Sequence, residues 1–177
     1  MQSVNVGFHK RLSTALKWED EVKNRLETMG FLTNRYGTGV QLTPEFHDAV
    51  RFMNDNYTAQ FVRYLPDWII AIKNKMCYLV EAKSERSNTS NFSYELASYE
   101  VGLRLHSIGV NVIVIFTGWK VDFIQNLKIW KEFKDPTYLQ RVKQNGGSGT
   151  PFGLIKKDNV PTFDDFFVGL LSCNVGV

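Results

Sequence analysis

The chain of 177 residues is poor in cysteine, carrying only Cys77 and Cys173. Two thiols exclude a disulfide scaffold and a cysteine-rich zinc or iron–sulfur centre. Cys77, inside an apolar run, reads as a small buried hydrophobe in a reducing compartment. Long apolar runs are lacking too. The longest, near Trp68–Ile72 and Val110–Phe116, fall far short of the roughly 20 residues that cross a bilayer. The opening stretch from Met1 to Arg11 has no apolar segment of the signal-peptide kind. The expectation is a soluble, cytoplasmic protein with no membrane partner. His9, His47 and His106 have no metal-ligand spacing.

Aromatic residues, by contrast, are plentiful. Thirteen Phe, seven Tyr and four Trp in a weakly charged chain demand burial and exclude disorder as the main state. The length fits a single domain, 1–177, with a self-sufficient core. The net charge of +3 is mild, but it is unevenly spread. From Lys128 to Lys157 seven Lys or Arg stand against Glu132 and Asp135, a balance of +5. Such a region suits a phosphate backbone, or is a solvated surface.

Leu12, Ala15, Leu16, Val22, Leu26 and Met29 recur at three- and four-residue steps, predicting a first helix closed by Gly30. Glu19 falls inside that stripe whereas Asp20 and Glu21 point away, and a carboxylate on a buried face is costly unless paired. Phe31–Tyr36 predicts a short strand, followed by a turn at Gly37-Thr38-Gly39. Pro44–Asn54 predicts a helix capped by Thr43, and Thr58–Leu65 is rich in β-formers. Two apolar runs then flank Lys73-Asn74-Lys75, a strand–turn–strand signature. Both are apolar on both faces, as in central strands covered on two sides. A polar loop over 84–91 leads to a helix expected over Phe92–Ser107, and Val110–Phe116 is a strand by its β-branched content. Strand, helix and strand in succession predict a crossover to a parallel neighbour. Helical pieces are expected near Val121–Phe133 and Thr137–Gln144. The glycine loop 145–149 follows, then a last helix capped by Thr162 with Phe163, Phe166, Phe167, Leu170 and Leu171 on its apolar face. The class is α/β.

With the hairpin centred on Asn74, facing positions sum to 148, so Ile69 opposes Leu79 and Asp67 opposes Glu81. Lys83 projects from the same face as Glu81, about 6–7 Å further on. Two facing carboxylates repel, and a proton or a cation relieves them. A hard divalent ion suits oxygen ligands and keeps waters for chemistry.

Pro66-Asp67, thirteen residues, then Glu81-Ala82-Lys83 resembles the motif of the PD-(D/E)XK nuclease superfamily, which includes restriction endonucleases and Holliday junction resolvases. Glu19, with Gly30-Phe31 eleven residues later, is similar to the resolvase-like helix that carries an additional acid. The order αβββαβ matches a restriction endonuclease-like core, a central mixed sheet of about four or five strands flanked by helices. The resemblance spans about 12–116 and leaves 117–177 as a helical and loop extension. Acid-x-Lys alone is unspecific, since Glu21-Val22-Lys23 and Glu132-Phe133-Lys134 match it too.

The resemblance implies a metal-dependent DNA endonuclease using Mg²⁺, with Mn²⁺ as substitute. Asp67, Glu81 and the Ala82 carbonyl would hold the ion, Lys83 would orient or activate water, and Glu19 would support the metal. Arg35, Glu95, Lys143, Lys156 and Lys157 are candidate nucleic-acid contacts, and Tyr99 lies beside Glu95. A two-fold dimer, a partner protein that confers specificity, and a phage or mobile-element origin are further expectations. Two alternatives stand: a silent nucleic-acid-binding module of the same fold, and an RNA-cleaving enzyme. A plainer account has Asp67 capping a turn after Pro66 and Glu81 paired with Lys83 on the surface. It leaves Glu19 unexplained.

Overall fold

The computed structural model describes residues 3–36, 43–50, 53, 56–84, 89–144 and 149–173. Helix α1 (Ser3–Thr28) opens the chain, and Trp18, Val22 and Leu26, at four-residue steps, are buried. Gly30 takes φ +89°, and the Phe31 N–H returns to the Leu26 carbonyl, which ends the helix and turns the chain into β1 (Leu32–Arg35). Next come α2 (Pro44–Val50), where the Phe46 N–H donates to Thr43 Oγ1 at 3.3 Å, and α3 (Tyr57–Arg63).

Strands β2 (Trp68–Ile72) and β3 (Met76–Lys83) form the hairpin. Its pairs, Trp68 with Val80 through Ile72 with Met76, sum to 148 as the sequence predicts, and Asn74 sits in the turn at φ 60°. After β4 (Asn91–Glu95), helix α4 (Leu96–Ser107) crosses to β5 (Val112–Phe116), which lies parallel to β3. Strand β6 (Lys120–Phe123) completes a five-stranded mixed sheet of order β1-β2-β3-β5-β6. Helix α1 and the C-terminal α6 (Phe163–Cys173) pack one face, over Ile70, Val80, Ile113 and Ile115. Helix α4 and a second sheet pack the other, over Leu79, Val112, Val114 and Phe116. All five residues of β5 are buried, which is why its sequence shows no alternation. This is the α/β class, with the expected order αβββαβ carried by α1, β1, β2, β3, α4 and β5 and a mixed sheet flanked by helices.

The β-formers of Thr58–Leu65 do not make a strand: Asn56 Oδ1 accepts the Ala59 N–H at 2.9 Å and starts α3 instead. Three expectations are corrected. The expected helix over Phe92–Ser107 begins only at Leu96. Phe92 lies in β4, paired with Ile155 and stacked on Phe116. The extension 117–177 is not simply helix and loop. Val121–Phe133 is β6, a short 3₁₀ turn and β7 (Ile129–Phe133), and β8 (Phe152–Lys156) follows α5 (Pro136–Gln144). Strands β4, β8 and β7, in that order, make the second, antiparallel sheet. Finally, Cys77 is exposed, because burial falls away toward the hairpin turn.

The turn 37–39 and most of the loop 145–149 lie outside the described residues. Among those described, no helix is long and apolar enough to cross a membrane.

Candidate active site

Strand β3 outruns its partner. Strand β2 begins at Trp68, opposite Val80, while Glu81, Ala82 and Lys83 continue alone beside β5. The Leu79 N–H and the Lys83 carbonyl bond to the β5 side, so the alternate residue, Ala82, turns its N–H and C=O toward the place β2 has left. Asp67 fills part of that gap. Its Oδ2 accepts the Ala82 N–H at 2.8 Å, while its carbonyl accepts the Tyr36 N–H at 2.8 Å. Pro66, buried and without an N–H, ends the preceding segment where no donor is needed.

Glu81 is only 8% exposed and forms an ion pair with Lys83, two residues along the same face. From the opposite layer, Glu19 of α1 reaches the same end of the sheet, where Arg35 at the end of β1 donates to its Oε2. The Arg35 guanidinium also lies 5.0 Å from the centre of the Trp68 ring. Glu19, Asp67, Glu81 and Lys83 therefore converge, from α1, the start of β2 and the end of β3.

The electrostatics follow from that convergence. Burial, then the neighbouring Glu81 and Glu19, hold the Asp67 carboxyl well above the usual carboxylate range, against Lys83 and the Ala82 N–H. Glu19 is raised as well, chiefly by burial, with Arg35 opposing and Glu81 adding to the rise. Burial works against the charge on Lys83, yet Glu81, Tyr94 and Asp67 outweigh it and hold the ammonium above its ordinary value. Its neighbours thus favour the charged form of Lys83.

Three carboxylates, Glu19, Asp67 and Glu81, stand with two cations, Lys83 and Arg35, so this end of the sheet is rich in hard oxygen donors. Among the described residues no three His, Cys, Asp or Glu side chains converge closely enough to close around an ion. Asp67 and Glu81 are the residues that could hold a hard divalent ion, since such an ion needs only one or two carboxylates and keeps its waters.

Two tyrosines that the motif does not flag belong to this site. The Tyr94 ring lies 5.0 Å from Lys83 Nζ, and burial holds its hydroxyl well above the usual phenol value. Tyr64, at the end of α3, donates its hydroxyl to Glu95 Oε1 at 2.8 Å, and burial with the Glu95 charge pushes it up to about 12. Alternation along β4 points Tyr94 inward and Glu95 outward, a signal hidden when the segment is read as helix. Glu95 and Tyr64 line a cleft of about 520 Å³ with Arg63, Lys134 and Thr150.

The remaining sequence candidates are dispersed. Tyr99 uses its hydroxyl on the Leu127 carbonyl at 2.8 Å. Lys143 is exposed in the last turn of α5. Lys156 pairs with Asn91 at the far end of β4 from Glu95, with Lys157 just beyond it. None of these three lysines joins the carboxylates. His47 and His9 have no described side chain, and His106 lies in the last turn of α4.

No family model and no curated protein matches the chain. Among solved structures it is similar to Hjc, a Holliday junction resolvase from the archaeal hyperthermophile Archaeoglobus fulgidus. The two are 12% identical with a TM-score of 0.46, over 85% of this chain and 98% of that one.

Proposed function

We propose that this protein is a metal-dependent nuclease that hydrolyses phosphodiester bonds of DNA. The observation that carries the reading is the convergence of Glu19, Asp67, Glu81 and Lys83 at the point where β3 outruns β2. A packing role does not account for Glu81 and Glu19 standing near enough to a buried Asp67 to disfavour its charge. A site that binds a cation and a phosphate does.

In this reading Asp67 and Glu81, with the Ala82 carbonyl on the open edge, hold Mg²⁺ or Mn²⁺. The ion supplies Lewis acidity at the phosphate and lowers the pKa of its water. Asp67 is kept in place by the Ala82 N–H, so its second oxygen is the one presented to the site. Lys83, locked between Glu81 and the Tyr94 ring, faces the charge that develops on the phosphate. Glu19, steered by Arg35, adds negative potential from the α1 side. Arg35 is committed to Glu19 and acts here as a positioning residue. A two-fold dimer would place two such sites on two strands.

The test is cleavage of labelled linear, nicked, single-stranded and four-way-junction DNA in Mg²⁺, Mn²⁺ and EDTA, with Asp67→Ala and Lys83→Ala beside wild type. Metal-dependent cutting lost in both variants is the expected result. Binding without cutting of any substrate, unchanged in Asp67→Ala, would leave a silent binding module. Cutting of an RNA strand in preference to its DNA counterpart would transfer the reading to RNA.

A further inference from the structure

Two lysines of the basic stretch 128–157, Lys131 and Lys156, lie on the second sheet. Register assigns the outward face: Asn91 pairs with Lys156, Ser93 with Leu154 and Leu154 with Lys131, while Phe92, Tyr94 and Ile155 turn into the core. Strand β7 carries one extra residue. Ile129 pairs with Ile155 and Lys131 with the adjacent Leu154, so Trp130 is the unpaired residue of a bulge. A bulge re-aims a side chain, and here it turns an indole to solvent. Trp130 is 51% exposed, whereas Trp18 and Trp68 are buried at 7% and 5%.

Trp130 is also held in place. Its Nε1–H donates to Asn91 Oδ1 at 3.0 Å, which occupies the polar edge, and Lys156 Nζ lies 5.8 Å from the ring centre. Lys131 lies 4.9 Å from the Phe133 ring and Lys157 5.0 Å from that of Phe92. Of the acids nearby, Glu132 pairs with Lys134 at 2.6 Å, Asp135 accepts from the Thr137 and Tyr138 N–H groups, and Asp158 lies just past the sheet after Lys157. A fixed, exposed indole among lysines is the combination that receives single-stranded nucleic acid, where unpaired bases stack and phosphates meet cations. A duplex hides its base faces in its own stack and has no use for the indole. The sheet is tied to the carboxylate cluster, because Tyr94 beside Lys83 lies three residues, roughly 10 Å, from Asn91 along β4.

We propose that the outward face of the β4-β8-β7 sheet binds the single-stranded DNA flanking the phosphate to be cleaved, with Trp130 stacking on an unpaired base and Lys131 and Lys156 meeting its phosphates. The choice of DNA rests on the nuclease reading. The test does not, since it is made in EDTA without turnover. The full chain is titrated with a fluorescein-labelled 20-nucleotide single strand and with a blunt duplex of the same sequence, at several salt concentrations. The single strand is expected to bind more tightly than the duplex and to quench tryptophan fluorescence.

Trp130→Ala should weaken single-strand binding about five- to hundredfold, Trp130→Phe should keep most of it, and quenching should fall in both. Lys131→Ala and Lys156→Ala should each flatten the slope of log K against log salt by about 0.7. Equal or tighter binding of the duplex, or affinity unchanged in Trp130→Ala, overturns the assignment. Trp130-dependent binding with no cutting under any condition would keep this surface and remove the nuclease. Cutting that is lost in Asp67→Ala but indifferent to Trp130 in both rate and binding would do the reverse.

Discussion

Asp67 and Ala82 meet where one strand stops and its neighbour goes on: the Asp67 Oδ2 accepts the Ala82 N–H at 2.8 Å, in place of the backbone acceptor that β2 no longer provides. One side chain thus completes the ladder and delivers a carboxylate to a site that already holds two. Structural and chemical roles coincide there and can be separated by substitution.

Asp67→Asn keeps an acceptor for Ala82 and removes the charge. The folded-state pKa of Asp67 lies above its ordinary value. Its contribution to stability is therefore whole below the ordinary carboxylate range and is lost as pH rises through the raised value. Above that value the ionised group burdens the fold. Asp67→Asn should accordingly melt at a higher temperature than wild type in EDTA at neutral pH. Added Mg²⁺ should raise the Tm of wild type and leave that of the variant unchanged. Thermal melts with and without Mg²⁺ decide it, and a variant that melts lower in EDTA would refute the account of Asp67 as a strained acid.

The pair Glu19–Arg35 carries an asymmetry. Arg35→Ala leaves Glu19 partly buried beside Glu81 without its counter-charge, at a cost of about 1–3 kcal/mol. Glu19→Gln removes one of the repelling acids along with the pair and should cost less. Urea unfolding of both single variants and the double variant measures the coupling. Equal losses from the two single variants would mean that Glu19 is not held against its neighbours.

Much of this site is legible in the chain because the hairpin is local. Its turn at Asn74 fixes the sum of facing positions, and from that alone Asp67, Glu81 and Lys83 fall at one end. Glu19 is legible because an acid in an apolar stripe violates helix patterning. The second sheet is not legible, for a physical reason. Strand β4 finds its partner β8 some sixty residues later, and no local periodicity records such a pairing. Phe92, spaced like a helical residue with Leu96 and Tyr99, is instead a strand residue fixed by Ile155 and Phe116. Thr58–Leu65 shows propensity overruled by a cap, Asn56 over Ala59. Trp130 escapes notice because a bulge, invisible in one sequence, decides which way it faces.

Tyr64 offers an alkaline signature. Its pKa is pushed up to about 12 by burial and by Glu95. The associated stability is intact below about pH 10 and is lost as pH rises toward the folded value. In an ultraviolet titration of the folded protein, Tyr64→Phe should remove one late-ionising phenol and leave the early ones in place. Loss of an early-ionising phenol would contradict the hydrogen bond to Glu95.

Gly153, in the middle strand of the second sheet, tests how tightly that sheet is seated. A Cβ there would lie 2.5 Å from Cγ2 and 2.7 Å from Cδ1 of Ile129, and Ile129 is itself pinned opposite Ile155 beside the bulge. Gly153→Ala should therefore destabilise by about 1–3 kcal/mol, lowering Tm by roughly 2–4 °C for each kcal/mol in a domain of this size. Because the clash is with the Ile129 side chain and not with backbone, adding Ile129→Ala should restore part of the loss, although Ile129→Ala alone opens a cavity and destabilises. That sign reversal distinguishes a packed sheet from a loosely attached one. Paired melts of the two single variants and the double variant supply the measurement, and simple additivity would show that β7 and β8 do not pack in the register described.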